Sequence, residues 1–445
     1  MRLAPSLLSE LGDACRAIKS PDSRGPAAQR DPAVVQRVSE MLSTIDRDGM
    51  DAVLRYAREL DGWTGGDVEL DAAALRRSGD QLTAEHRKAL ELGAERTSAF
   101  ARGQRAHLQD YETELAPGLV TGHKYVPVRR VGAYLPAGRF PLTAGAFMTV
   151  GVAKAAGVPT ALACVPPGSD GSADPAVLYS AHLSGADRVF ALGGVQALAA
   201  MAHGLLGHRP VDVLVGAGNA FVAEAKRQLF GQVGIDLLAG PSEVAVLADE
   251  TADPELVAAD LLGQAEHGVN SPAALVTTSH QLGEQVLAAA ERQLETLPTK
   301  DIAGPAWRDH GSITWAADRD TAVALVDELA PEHLELQTAD DEHYHRELSN
   351  YGSLFLGPWS TVAYSDKGMA GTNHVLPTAG NARHSGGLSV SRFLKPLTYQ
   401  RVAREATPLL ADAVEVISDY EQMAAHRATA TLRTARHRAR SQESQ

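Results

Sequence analysis

Four pairs in this chain put a histidine within a few residues of a carboxylate or an amide: Gln264 with His267, Glu332 with His333, Asp366 with His374, and Glu421 with His426. All fall late in the sequence, mostly at the ends of predicted elements or inside Gly/Pro-rich loops, so one shared site is a fair expectation. A zinc ion held by a glutamine, two histidines and an aspartate would have only neutral and hard ligands. Its expanded shell would leave room for a substrate atom, which suits a substrate-binding metal better than a closed structural one. A histidine of near-neutral pKa can take a proton from an alcohol, and a glutamate can activate a water. Taken singly, each pair also reads as two exposed polar residues, and only the elements around them could bring the pairs together.

The stretch DPELVAADLLGQAEHG, Asp253 to Gly268, is expected to be a bounded helix. Asp253 can cap the first free amides, Pro254 suits the first helical position, and Gly268 can take the left-handed stop. Gln264 and His267 then fall three apart in the last turn and point the same way. Glu332 and His333 follow Ala330-Pro331 and precede a predicted strand. Neighbours on an extended segment point to opposite faces, so the backbone must bend if both serve one reaction.

Around these pairs the chain reads as α/β. The first thirty residues hold a short helical pattern and a polar stretch, SPDSRGPAAQRDP, that reads as a linker or arm; Pro32 to about Arg105 is helical by its period, and LVTGHKYVPVRRVGAYLPAG reads as strands. From Thr143 to Asp249 short apolar strands (TALACVPP, RVFAL, VDVLV, EVAVLAD) alternate with helices, and a second series follows with AALVTTS and SITWA. Such alternation predicts two Rossmann-like, doubly wound parallel sheets, whose ligands usually sit beyond the carboxyl ends of the strands. Two turns, Gly193-Gly194-Val195-Gln196 and Gly216-Ala217-Gly218-Asn219, could bring backbone amides and a helix N-terminus to a diphosphate. Neither is a full dinucleotide fingerprint, and ordinary tight turns fit them too.

A chain of 445 residues suggests two to four domains with room for large pockets. Its formal net charge of -14 argues against broad nucleic-acid binding, and the basic end RATATLRTARHRARSQESQ reads as a solvated helix end. Cys15 and Cys164 are too few for a disulfide framework or a cysteine zinc site, and no apolar run is long enough to span a bilayer, so a cytoplasmic protein is expected.

In order along the chain, AYLPAGRFPL, GGVQALAA, GAGNAFVAEAKRQ, AGPSEV, LLGQAEHG, APEHL, GSLFLG and GTNHVLPT resemble the motif series of the histidinol dehydrogenases, over roughly Val34 to Arg433. The resemblance implies a homodimer with one zinc per subunit that oxidises an alcohol to an aldehyde and then to a carboxylate, with two hydride transfers to NAD at one site. By motif match Gln264, His267, Asp366 and His426 would be zinc ligands, His426 coming from the partner subunit. Glu332 and His333 would be the catalytic pair, His333 the base for alcohol oxidation and Glu332 the activator of the water that adds to the aldehyde. Tyr134, Gln196 and Asn219 match NAD-contacting positions, and Ser242, His374 and Glu421 match substrate-contacting ones; Gln264, His267, His333, Asp366 and His426 would also face the substrate.

The resemblance further implies a helical arm over 1–31, a discontinuous zinc and substrate domain over 32–133 with 243–385, an NAD-binding domain over 134–242, and a helical dimer-contact segment over 386–445. The chain departs from the family pattern at Arg139, where a small residue is usual, at Lys367, where a tyrosine is usual, at Ala217, where a proline is common, and in a longer spacing from Asp366 to His374. Arg139, Lys367, FGQVGID, AWRDHG and LTYQ are similar to the sulfopropanediol dehydrogenase branch, and extra cations would suit an anionic group. Ser242-Glu243, in contrast, follows the histidinol-type Pro-Ser-Glu pattern. The substrate expected is therefore a small amino- or hydroxy-alcohol, with a sulfopropanediol-like polyol ahead of histidinol. A zinc hydrolase on the same residues would lack a His-Glu-x-x-His helix, and a silent binding protein would not need both Glu332 and His333.

Overall fold

The computed structural model describes the chain except residues 2, 23–30, 138–140, 169–171, 444 and 445, and it divides into two compact units, Met1–Arg105 with Val128–Phe393 and Ala106–Pro127 with Leu394–Gln445. The first unit contains two six-stranded sheets. In one, the parallel strands Arg130–Tyr134, Thr160–Val165, Arg188–Ala191, Val213–Val215 and Gly234–Ile235, counted in chain order, lie side by side as 3-2-1-4-5. In the other, Val244–Ala248, Ala273–Thr277, Gly311–Ala316, His333–Gln337 and Ser353–Leu356 repeat the same order. Each sheet takes an antiparallel edge strand from earlier in the chain, Glu69–Leu70 beside Arg188–Ala191 and Cys15–Lys19 beside Gly311–Ala316.

The central strands form because their residues are apolar on both faces. Val244–Ala248 and Ala273–Thr277 are buried at every position, as strands covered by helices on both sides must be. The helix Pro254–Ala265 covers one face through Val257, Ala258, Leu261 and Leu262, and the helix Arg319–Leu329 covers the other through Ala322, Leu325 and Val326.

The domain boundaries run differently from those expected. The helices Pro32–Asp48 and Met50–Leu60 pack with Gly194–His203 and Ala220–Leu229 in the core of the first sheet, through Val38, Met41, Ile45, Val53 and Tyr56, instead of joining residues 243–385. Arg130–Tyr134 is the central strand of that sheet, so a division at 133/134 cuts through it. The supposed arm also contains a sheet strand, Cys15–Lys19.

In the second unit Leu394–Val402, Leu119–Pro127 and Tyr111–Ala116 form an antiparallel sheet in that order, and the helices Thr407–Tyr420 and Ala424–Glu443 pack on each other. The nine-residue strand corrects the all-helical reading of 386–445. Its residues after Leu394 are exposed, so no apolar alternation marks it in the sequence. No helix among the described residues is long and apolar enough to cross a membrane.

Candidate active site

A group of polar side chains converges at the amino ends of the second sheet. Glu332 and His333 enter the strand His333–Gln337, whose first residue is in register with Val244, so Ser242 and Glu243 lie directly alongside. The helix Pro254–Ala265 runs back from the carboxyl ends and brings Gln264 to the same edge. Asp253 caps that helix by accepting from the Glu255 amide at 2.9 Å. It stops at Ala265, however, and Gly268 is not in the left-handed region. His267 therefore sits in a turn beyond the helix, its N–H donating to the Gln264 carbonyl at 3.2 Å.

The bend needed before His333 is present. Ala330 ends the preceding helix with φ 44° and ψ 60°, a left-handed conformation that costs a non-glycine residue about 1–2 kcal/mol. The turned chain is then tied to the edge strand, since Gly352 N donates to Pro331 O and Ser353 N to Glu332 O, both at 2.9 Å. A Cβ on Gly352 would meet the Glu332 carbonyl oxygen at 2.5 Å, so only glycine allows that approach.

A relay of hydrogen bonds fixes the Glu332 carboxyl. Gln264 Nε2 donates to Ser242 Oγ at 2.7 Å, Ser242 Oγ donates to Glu332 Oε2 at 2.8 Å, and the Glu243 amide donates to the same oxygen at 2.9 Å. Burial pushes the Glu332 carboxyl well above the usual carboxylate range, and the negative charges of Glu243 and Asp366 add to that. His333 Nδ1 meets the Glu243 carbonyl at 2.9 Å. A carbonyl only accepts, so Nδ1 carries the proton and Nε2 keeps its lone pair. That Nε2 is buried and has no hydrogen-bond partner, with Asp366 Oδ1 4.0 Å away. Burial pulls His333 below its ordinary value, partly offset by Asp366, so the ring is a neutral base.

Asp366 ends the short helix Val362–Asp366 and stands 3.8 Å from His267 Nε2 through Oδ2. His374 Nδ1 lies 3.3 Å from the Asp366 carbonyl, and burial lowers the His374 pKa. The loop between them is anchored by Asn373 Nδ2 on the Met148 carbonyl at 2.8 Å and by Arg96 on the Met369 carbonyl at 2.9 Å. The donors fit a divalent cation. Gln264 has spent its Nε2 on Ser242 and leaves Oε1 buried with no partner, and His267 and Asp366 stand 3.8 Å apart as an imidazole–carboxylate pair. No three His, Cys, Asp or Glu side chains among the described residues form a metal-binding group by themselves.

The first sheet presents its polar groups at the opposite, carboxyl ends, on either side of the switch point between Arg130–Tyr134 and Val213–Val215. The Tyr134 hydroxyl accepts from the Gly194 amide at 3.3 Å and is pushed up to about 12 by burial. Gln196 Nε2 and the Gly193 amide both donate to Asp61, at 2.7 and 2.9 Å, and burial raises the Asp61 pKa. Gln196 Oε1 is buried without a partner. Asn219 caps the helix Ala220–Leu229, accepting from the amides of Phe221 at 3.0 Å and Val222 at 3.1 Å. Beneath it, buried Lys226 pairs with Asp236 and donates to the Gly216 carbonyl at 3.0 Å, while Asp236 accepts the Gly216 amide at 2.7 Å. Gly216 has φ 114°, and a Cβ there would lie 2.1 Å from the Tyr134 carbonyl oxygen.

Thus Ser242, Gln264, His267, Glu332, His333, Asp366 and His374 come together, while Tyr134, Gln196 and Asn219 gather on the other sheet. Glu421 and His426 belong to the second unit, after the helix Thr407–Tyr420 and within Ala424–Glu443, both exposed. Arg139 lies outside the described residues. Sequence reasoning missed Asp61, whose partners lie 132 and 135 positions along the chain, and Lys226 and Asp236, which pair only once their two elements fold against the Gly216 turn. In the second sheet the polar cluster lies at the amino ends, opposite to the carboxyl ends where ligands of such sheets usually sit. There Asp249 accepts the amides of Thr251 at 3.0 Å and Ala339 at 2.8 Å and closes the switch point.

Comparison with known proteins shows the family. A family model described as histidinol dehydrogenase matches residues 25–434. A histidinol dehydrogenase homolog of Ruegeria pomeroyi is 47% identical over 418 residues, 94% of this chain and 96% of that protein. A sulfopropanediol 3-dehydrogenase of the same organism is 44% identical over 91% of this chain and 93% of its own length. A histidinol dehydrogenase of Parasynechococcus marenigrum is 40% identical over 88% of this chain and 89% of its own. The crystal structure of histidinol dehydrogenase from Elizabethkingia anophelis superposes with a TM-score of 0.87 at 32% identity, covering 93% of this chain and 94% of that one.

Proposed function

The chain belongs to the histidinol dehydrogenase family, and on that premise we propose that it is a zinc-dependent, NAD-linked dehydrogenase that takes a small primary alcohol through the aldehyde to the carboxylate. The reading is carried by His333, whose Nδ1 is committed to the Glu243 carbonyl while Nε2 stays free and buried beside Asp366. When bound, NAD would accept the hydride of each oxidation, and zinc on Gln264, His267 and Asp366, with His426 contributed by the partner subunit of a homodimer, would orient the substrate.

In the first oxidation His333 Nε2 takes the hydroxyl proton as the carbinol C–H electron pair leaves. Glu332, held by Ser242 and the Glu243 amide, takes a proton from a water as the water oxygen bonds to the aldehyde carbon. Loss of a second hydride and of the remaining hydroxyl proton from that hydrate leaves the carboxylate, so each alcohol would reduce two NAD. Ser242, His374 and Glu421 would contact the substrate, and Tyr134, Gln196 and Asn219 the nucleotide. Burial of His333 and Glu332 keeps bulk water from competing for either proton.

For the substrate, Lys367 is the telling residue. It is exposed at the end of the Asp366 helix, and its charge helps depress His374, so a cation stands at the site. An anionic sulfopropanediol-like polyol would pair with it, and a sulfopropanediol 3-dehydrogenase is among the relatives. Ser242-Glu243 favours the second reading, oxidation of L-histidinol to L-histidine. Two cysteines with no disulfide support a cytoplasmic setting.

The test follows NADH spectrophotometrically with dihydroxypropanesulfonate, L-histidinol and a panel of amino alcohols and polyols, with and without a chelator. Two NADH per alcohol consumed, abolished by chelation and restored by zinc, is the expected result. No NADH with any member of the panel would overturn the proposal.

A further inference from the structure

Behind the candidate active site lies a second polar group that the mechanism does not use. Glu335 is completely buried on the strand His333–Gln337, two residues past His333 and on the same face. Its Oε1 accepts the Val362 amide at 3.0 Å, and Oε2 receives no donor. Asp260 accepts from Gln337 Nε2 at 2.9 Å and from Thr361 Oγ1 at 3.0 Å. Gln337 is the next residue on the Glu335 face of the strand and Thr361 precedes Val362, so the two carboxyl groups are neighbours held by the same two segments. Two carboxyl groups in contact can hydrogen-bond only if one keeps its proton.

The placement of this pair is what gives it a role. Asp260 lies one helical turn before Gln264, Glu335 follows Glu332 and His333, and Thr361 with Val362 begins the short helix that ends at Asp366. Three separate elements, each carrying part of the site, are thereby joined. We infer that Asp260 and Glu335 share one proton and that this bonded pair is a brace that positions Asp366 against Gln264 and His267. The metal side of the inference rests on the reading of Asp366 as a ligand.

Burial and the neighbouring carboxylate push Glu335 well above the usual range, and burial raises Asp260. Val246 and Phe355 flank Glu335 in register and are apolar. The other charged or titratable groups of the packed elements are Glu255, His333, Tyr364, Asp366 and Lys367, and none of them is a hydrogen-bond partner of the pair. Because the folded values are raised, the brace is intact at low and neutral pH and is lost as the pH rises through the pair's upper ionisation.

Two substitutions separate the bond from the charge. Glu335→Gln keeps an acceptor for Val362 and offers an amide donor to Asp260, whereas Glu335→Leu removes both. At neutral pH the leucine variant should bind zinc about tenfold or more weakly in competition with a chromophoric chelator, as expected when a group behind a ligand is lost, and the glutamine variant about as well as the wild type. The alkaline weakening of zinc binding, measured relative to Glu335→Gln, should be confined to the wild type. Hydrogen exchange at amides 362–366 should speed up in Glu335→Leu with or without zinc. Should the leucine variant not fold, Thr361→Val, which removes one hydroxyl, should give a smaller change in the same direction.

Wild-type zinc affinity and wild-type exchange in Glu335→Leu would overturn the brace. A glutamine variant as impaired as the leucine one, or zinc affinity that follows added sodium or potassium at fixed ionic strength, would overturn the shared proton. An Asp366→Ala variant that binds zinc like the wild type would instead remove the metal reading, and exchange at 362–366 would still report on the brace.

Discussion

The two sheets of the first unit have one strand order and open at opposite ends. In the first, the switch point at the carboxyl ends is held apart by a buried Lys226–Asp236 pair under the Gly216 turn, and Tyr134, Gln196 and Asn219 gather around it. In the second, Asp249 fills the matching position by bonding Thr251 and Ala339, and the chemistry-bearing groups collect at the amino ends instead. Strand order alone therefore does not locate a site. What decides is whether the loops beyond a switch point are bonded to each other or to the sheet beneath, and where the covering helices end.

The comparison breaks most sharply at the pair that opens the strand His333–Gln337. His333→Asn is expected to cut kcat for the alcohol by about 10²–10⁴-fold, with a much smaller loss when the aldehyde is supplied directly. Glu332→Gln should slow the aldehyde step by a similar factor and spare alcohol oxidation. Stopped-flow NADH formation from each substrate separates the two, and an equal loss of both steps in both variants would refute the assigned roles. Neither change should alter nucleotide affinity if the two ends of the two sheets are independent.

The pH dependence sharpens the same contrast. Glu332 must lose its proton to act on water, and burial holds that proton to higher pH than an ordinary carboxylate. Aldehyde oxidation should therefore rise with pH along a limb well above the usual glutamate value of 4.5. The corresponding limb should be absent from Glu332→Gln, measured with supplied aldehyde across the range. A limb at the ordinary glutamate value would mean that Glu332 is hydrated when it acts.

On the first sheet, Asp61→Ala leaves the Gly193 amide and the Gln196 side chain without their acceptor. Unpaired buried groups of this kind cost about 1–3 kcal/mol each. The expected result is a several-fold rise in KM for NAD with the KM for the alcohol unchanged. A change in the alcohol KM alone would break the division of labour between the sheets.

Much of this was legible in the residues. The alternation of apolar strands with helices gives both parallel sheets, and the histidine-containing pairs give most of the polar cluster. Periodicity could not reveal where the helix before His267 stops, because the Gly268 stop is not used and a turn begins at Glu266. Nor could it assign residues 32–60 to the first sheet, since an amphipathic face does not name its partner. Asp61, Asp236, Asp260 and Glu335 were invisible for a different reason. A lone acidic residue has no meaning until the partner that folding brings to it is known, and Asp61 bonds a residue 135 positions away.

The smallest expected effect tests the two halves with matched substitutions. Asn219 caps the helix that follows a carboxyl strand end of the first sheet, and Asp253 caps the helix that follows one of the second. Each side chain satisfies amides that alanine would leave open, so Asn219→Ala and Asp253→Ala should each lower stability by about 1 kcal/mol in denaturant titrations. The functional consequences should differ. Loss of Asn219 changes a helix N-terminus beside the proposed nucleotide turn and should raise the KM for NAD a few-fold. Loss of Asp253 acts at the end of the second sheet that Asp249 closes, and should leave both KM values where they were. If Asp253→Ala weakened NAD or alcohol binding as much as Asn219→Ala, the carboxyl ends of both sheets would be in use, and the opposed geometry of the two halves would lose its functional meaning.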